Sequence, residues 1–246
     1  MIVCFSGTGN SWRVARDLAA GLGEPAPVSV PRWERERVEG READRLVLVF
    51  PVYSFGPPRM LMETIRRLDR VRARQVYAVA TAGGTPGGAL AILDRRLRER
   101  GAVVRAGWIL TEWDKWFNRL DGRIRQIVQD IREERAAPLP GSNLLFDAVS
   151  PLLHQGFCRR VGGYGKRFRV TADCTRCGLC ARLCPAGNIT QATGERPVWG
   201  DRCEACFACY AWCPARAIQF GWAKRLVPVF TAPGVGAQDL VDLKNR

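Results

Sequence analysis

Eight of the ten cysteines in this 246-residue chain fall between Cys174 and Cys213. They form two runs of the same spacing, Cys174-x2-Cys177-x2-Cys180-x3-Cys184-Pro185 and Cys203-x2-Cys206-x2-Cys209-x3-Cys213-Pro214. An offset of 29 residues superimposes the runs and also carries Ala186 onto Ala215 and Ile189 onto Ile218, so a whole unit is duplicated. Three cysteines at spacing three wrap a compact inorganic core, and the fourth, held by its proline, reaches into the partner's. The pattern assigns Cys174, Cys177, Cys180 and Cys213 to one [4Fe-4S] cluster and Cys203, Cys206, Cys209 and Cys184 to another. Zinc is the competing reading. Zinc sites set two Cys or His pairs apart by a longer loop, and they need neither the third closely spaced cysteine nor the Cys-Pro ending.

A second constellation lies near the start of the chain. An apolar run, Met1 to Phe5, passes through Ser6-Gly7-Thr8-Gly9-Asn10-Ser11 directly into a helical pattern. Glycines let backbone N–H groups approach an anion, a helix N-terminus adds partial positive charge, and Ser6, Thr8 and Ser11 add hydroxyls. The loop is not a P-loop, since GxxxxGK[ST] is absent, nor GxGxxG, since Trp12 stands where the third glycine would. Taken alone, it is also an ordinary Gly-rich turn that caps a helix. Two further loops at carboxyl ends of expected strands favour a ligand, because open α/β sheets bind ligands there. They are Pro51-Val52-Tyr53-Ser54-Phe55-Gly56 and Thr81-Ala82-Gly83-Gly84.

From about Phe168 to Gly221 the chain resembles the bacterial two-cluster ferredoxins, which implies paired hairpins and helices about a pseudo-twofold axis. Phe168-Arg169-Val170 and Pro197-Val198-Trp199 would be the strands leading into the motifs. Phe207, Tyr210 and Trp212 would exclude water from a cluster or pack the small core. The hydroxyl-rich first loop resembles the phosphate loop of flavodoxins, which implies FMN held by the three loops just quoted, with Tyr53 and Phe55 as stacking candidates. Trp113, Trp116 and Phe117 would cover the other ring face or pack between domains. A dinucleotide would want the missing third glycine and an acidic ribose partner. With Asn188-Ile189, Pro197-Val198-Trp199-Gly200-Asp201 and Trp212-Cys213-Pro214, the whole resembles the flavodoxin-ferredoxin fusion family of iron-sulfur flavoproteins.

The elements that must hold these residues can be read from periodicity. Met1 to Phe5, Val28 to Val30, Leu46 to Phe50, Val76 to Ala80 and Val103 to Leu110 are short apolar runs of the kind a strand covered on both faces shows. Ala15, Leu18, Ala19 and Leu22, then Leu61, Ile65 and Leu68, then Leu90, Leu93 and Leu97 repeat at helical intervals between them. This alternation predicts an α/β parallel sheet with helices on both faces; the resemblances imply that it is flavodoxin-like and doubly wound and that a small α+β ferredoxin-type domain with two clusters follows it. The expected division is 1-137 for FMN binding, 138-165 for a helical linker, 166-222 for the ferredoxin domain and 223-246 for a tail that docks on the body. In the linker region, Ile124, Ile127, Val128 and Ile131 mark one amphipathic helix and Leu145, Val149, Leu152 and Leu153 another, while Gly162 to Gly165 reads as a hinge or loop. His154 reads as a surface or packing residue rather than a ligand, and Cys4 as a small hydrophobe in a buried strand.

A composition of 47% hydrophobic and 25% charged residues excludes disorder. No apolar run approaches the roughly 20 residues of a membrane span, and no signal peptide opens the chain, so a cytoplasmic protein is expected. The net charge of +14 is spread evenly, without a basic tail or a recognition motif, which argues against nucleic acid. About +8 remains after thiolate clusters and a flavin phosphate are counted, which suits an acidic redox partner. The expected function is electron transfer between the clusters and FMN in anaerobic-type redox metabolism, within one chain or a homodimer. The alternatives are an FMN-dependent reductase of a small acceptor such as a quinone, and a non-flavin docking module carrying a ferredoxin. Whether the protein is a carrier or an oxidoreductase is left open, and the cofactors rather than side chains carry the chemistry.

Overall fold

A computed structural model describes residues 1–36, 43–112, 114, 119–141, 144–221 and 231–245. Five strands, β1 (Ile2–Cys4), β2 (Val28–Ser29), β3 (Ala43–Pro51), β4 (Ala73–Ala82) and β5 (Val104–Thr111), form one sheet in the order β2-β1-β3-β4-β5, parallel throughout. This is the flavodoxin-like order. Successive residues face opposite sides, so the apolar runs divide between two cores. Ile2, Cys4, Val47, Val49, Tyr77 and Val79 pack under helices α1 (Asn10–Leu22) and α5 (Leu120–Arg132). Val3, Phe5, Leu46, Leu48, Val76 and Ala78 pack on the other face, under α2 (Val30–Glu36), α3 (Arg59–Arg67) and α4 (Ala89–Arg98). Helix α1 stops at Gly23, whose φ of 70° is the left-handed conformation that glycine adopts without strain.

Helix α6 (Leu144–Arg160) and a 3-10 turn, Val161–Arg167, lead into the small domain. The expected apolar face of α6 is on the outside: Leu145 and Leu152 are 78% and 70% exposed, and Ser150 and His154 are buried instead. Gly162 to Gly165 is not a hinge. A side chain on Gly165 would meet the Gly200 carbonyl at 2.1 Å, and one on Gly162 would meet that of Asp201 at 2.5 Å, so both glycines press the turn onto the second cysteine repeat.

In the small domain β6 (Phe168–Val170) pairs antiparallel with β9 (Ile218–Phe220), and β7 (Ile189–Thr190) pairs with β8 (Val198–Trp199). The entry strand of each repeat therefore pairs with the exit strand of the other. Short helices α7 (Leu179–Leu183) and α8 (Ala208–Ala211) lie between them. Leu183 and Ala208 belong to the same buried cluster as Ile2 and Leu18, so the two domains share a core. Helix α9 (Ala237–Asn245) adds Leu240, Val241 and Leu243 to that core, and Lys244 Nζ donates to the carbonyls of Ala181 and Arg182 at 3.4 and 3.2 Å. Leu226 to Phe230 of the expected docking tail lie outside the described residues. Among the described residues no helix is long and apolar enough to cross a membrane.

Candidate metal and cofactor site

The eight cysteines surround two separate cavities, and each cavity takes one cysteine from the other repeat. Cys184, Cys203, Cys206 and Cys209 line the first, and Cys174, Cys177, Cys180 and Cys213 line the second. The crossing follows from the backbone. After each short helix the chain leaves through Cys184 or Cys213 with extended or turning geometry, and backbone N–H groups then hold the sulfurs. Asn188 N donates to Cys184 Sγ at 3.2 Å, Ala217 N to Cys213 Sγ at 3.4 Å and Ala205 N to Cys203 Sγ at 3.3 Å.

The donor chemistry fits a polynuclear cationic core. Burial pushes the Cys180 thiol up to about 11 and raises Cys203, Cys206 and Cys209, with neighbouring sulfurs adding to the effect. A thiol raised in this way stays neutral unless a metal converts it to the thiolate. Among the described residues no three His, Cys, Asp or Glu side chains converge closely enough to hold a single ion. The sulfurs stand back around a cavity instead.

The cavities differ in exposure. Cys184, Cys203 and Cys209 are at most 9% exposed, whereas Cys177 is exposed and Cys174, Cys180 and Cys213 are partly so. The first is therefore the inner cavity and the second the outer.

A third cavity, of about 390 Å³, opens at the carboxyl ends of β1, β3, β4 and β5. Ser6, Gly7, Thr8, Asn10 and Ser11 line it from the first loop, Pro51, Val52 and Tyr53 from the second, and Thr81, Ala82 and Gly83 from the third. Ser11 Oγ and Thr81 Oγ1 share a hydrogen bond of 2.8 Å, Asn10 Nδ2 donates to Thr8 Oγ1 at 3.0 Å, and Trp12 N donates to Ser6 Oγ at 3.2 Å. Helix α1 starts at this wall, where its N-cap residue, Gly9, has no side chain to cap it, so the positive end of the helix faces the cavity. The set fits a phosphate, and the volume suits a small cofactor.

Not every expected residue is there. Gly9, Ser54, Phe55, Gly56 and Gly84 do not line the cavity. Tyr53 and Gly56 close a tight turn, with Ser54 and Phe55 at φ of 47° and 66°. That turn swings Phe55 away, edge-on to Phe146 of α6 at 4.7 Å. His154 holds the turn from behind: its Nδ1 lies 3.3 Å from the Tyr53 carbonyl, and its Nε2 lies 3.4 Å from Cys158 Sγ. Burial lowers the His154 pKa and pushes the Cys158 thiol up to about 11, so a neutral imidazole faces a neutral thiol. Trp113, Trp116 and Phe117 lie outside the described residues.

Residues not expected at this cavity complete it: Val14, Leu110, Thr111, Glu112, Leu120, and above all Cys206 and Phe207. Cys206 and Phe207 line both this cavity and the inner thiol cavity. The contact is tight. A side chain on Gly7 would meet the Cys206 carbonyl at 2.1 Å, and Trp212 Nε1 donates to the Gly7 carbonyl at 3.0 Å. On the other flank, buried Glu204 accepts from Arg59 Nη2 at 2.7 Å and from Met60 N at 3.0 Å. Burial raises the Glu204 carboxyl despite its arginine partner. Gly7 thus serves domain contact as well as the loop, which only the fold reveals.

No curated protein matches the chain. Among solved structures it is similar to a two-electron reduced flavodoxin from Megasphaera elsdenii (19% identity, 45% of this chain and 83% of that one, TM-score 0.34). It is also similar to a Trp repressor binding protein from Bacillus subtilis (18% identity, 45% and 83%, TM-score 0.35). A metal-soaked flavodiiron core from Synechocystis matches at 12% identity over 53% of this chain and 36% of that one, with a TM-score of 0.34. Residues 166–214, which contain all eight motif cysteines, match the family described as a 4Fe-4S dicluster domain.

Proposed function

We propose that this protein is an electron-transfer iron-sulfur flavoprotein that relays electrons between two [4Fe-4S] clusters and FMN. The observation that carries the reading is the position of Cys206, whose side of the inner thiol cavity is also a wall of the loop cavity. When bound, each cluster exchanges one electron and the flavin one or two.

The chain's own residues supply placement and dryness. Cys184, Cys203, Cys206 and Cys209 hold the inner cluster, and Cys174, Cys177, Cys180 and Cys213 the outer one. The Ser6 to Ser11 loop binds the FMN phosphate, with the 51–53 and 81–83 segments beside the ring. Phe207 excludes water at the junction. The exposed face around Cys177 admits a redox partner, and the chain's positive charge selects an acidic one.

Iron, sulfide and cofactor analysis of anaerobically purified protein tests the assignment. About eight irons with matching sulfide per chain, and FMN by mass spectrometry, are expected. Zinc without sulfide, or FAD, would overturn it. Thr8→Val removes a phosphate donor and should weaken FMN binding by about 1 to 3 kcal/mol, while iron content stays unchanged.

A further inference from the structure

Away from these cavities, three helices each turn a polar stripe toward one common space. Helix α3 contributes Arg59, Glu63 and Arg66, α4 contributes Ile92, Arg95 and Arg96, and α6 contributes His154, Cys158 and Arg159. Arg59, Glu63 and Arg66 follow at four and three residues, Ile92 lies three and four residues before Arg95 and Arg96, and His154 lies four before Cys158, so these neighbours share a helical face. Facing helices ordinarily bury apolar side chains. Here they border an open groove of about 490 Å³ in which Arg59, Arg96 and the exposed Arg66, Arg95 and Arg159 meet one carboxylate, Glu63.

The charges inside are unbalanced. Arg59 pairs with Glu204 on its far side, and Glu63 is shared between Arg59 at 4.0 Å and Arg67 at 3.5 Å. Arg96 binds Glu99 through Nη1 at 2.6 Å, but its Nε is buried without a partner. Arg66, Arg95 and Arg159 form no ion pair with another described residue. Met62, Ile92 and Pro151 supply an apolar wall.

We propose that this groove binds a small phosphate ester of nucleotide size carrying more than one negative charge. Guanidiniums recognise phosphate oxygens in pairs, and the volume is that of a small-molecule site. A phosphate group brings about −1.5 to −2 in a small volume, so one or two balance the free arginines, whereas carboxylates would need one group per charge. The site is separate from the Ser6 loop, since that cavity and this groove share no lining residue. It lies behind the redox site, because Arg59 also donates to the Cys203 carbonyl at 3.4 Å and His154 supports Tyr53.

Calorimetric titration of the full-length, cofactor-loaded protein with ADP, pyrophosphate, inorganic phosphate and citrate tests the site. ADP and pyrophosphate should bind once per chain and more tightly than citrate or phosphate. The double variant Arg66→Ala, Arg159→Ala should weaken that binding at least about tenfold, the effect of one charge-assisted hydrogen bond, with iron, flavin and visible spectrum unchanged. Arg95→Gln should do the same if the double variant folds poorly. Absence of binding, equal affinity for citrate, or binding that survives both variants but falls with Thr8→Val would overturn the proposal; the last would place the anion on the flavin loop.

Discussion

The two cysteine repeats share one backbone plan and differ in what surrounds it. Position by position, left-handed residues recur: Arg176 and Ala205 at φ of 58° and 49°, Gly178 and Phe207 at 73° and 56°, and Gly187 and Arg216 at 55° and 52°. The outer repeat has small or solvent-facing residues at Thr175, Gly178 and Ala181, and the inner repeat has Glu204, Phe207 and Tyr210 at the equivalent places, with Trp212 standing opposite Leu183. Glu204 ties to Arg59, Phe207 lines the junction, and Trp212 bonds Gly7. Duplication supplied two similar thiol cradles, and side chains at three positions, Glu204, Phe207 and Trp212, make one of them a docking face. Phe207 also keeps a conformation that favours glycine, a strain of order 1 kcal/mol or more held by its ring contacts with Phe168, Tyr210 and Phe220.

The largest effect that separates the repeats should come from their exchanged cysteines. Cys184→Ser should remove the inner cluster, roughly half of the bound iron, and loosen the domain junction. Cys213→Ser should remove the outer cluster and leave the junction intact. Iron analysis and limited proteolysis of the two variants distinguish these results, and loss of the same cluster in both would break the crossed assignment.

Next in size is the buried carboxylate. Glu204→Gln removes the close, buried counter-charge of Arg59 and leaves only Glu63 at 4.0 Å, which should cost about 1 to 3 kcal/mol in stability, read by denaturant unfolding. The equivalent Thr175→Val, at an exposed position, should change stability by less than about 0.5 kcal/mol. Equal effects would mean that the two faces are not specialised.

Of similar size is Gly7→Ala. The added carbon would strike backbone, the Cys206 carbonyl, and should cost about 1 to 3 kcal/mol while separating the loop from the inner repeat. An unchanged melting curve would contradict the tight contact.

Much of this was legible in the chain. Five apolar runs became the five strands, because a strand buried on both faces has a continuous apolar signature. The cysteine spacing assigned Cys184 and Cys213 each to the other repeat's group, and each lines a cavity with the other repeat's first three cysteines. Other features depend on tertiary context that periodicity does not carry. Leu145, Val149, Leu152 and Leu153 marked an amphipathic helix, yet α6 buries Ser150 and His154 because the Tyr53 to Gly56 turn and the arginine groove lie on that side. Phe55 read as a ring-stacking residue, but positive φ angles at two successive non-glycine positions turned it to Phe146. Cys206 was legible as a ligand, and its second role, as a wall of the loop cavity, appears only when Gly7 is brought beside it.

We propose that electrons are relayed among the outer thiol cavity, the inner one and the cavity beside Ser6. Anaerobic stopped-flow reduction by a one-electron protein donor, followed at flavin wavelengths in wild type and in Cys174→Ser, tests it most directly. In wild type the flavin should be reduced at a rate independent of protein concentration, and in the variant much more slowly with FMN still bound. Flavin reduction at the wild-type rate after loss of the outer cluster, or a rate that scales with protein concentration without a stable dimer, would contradict it.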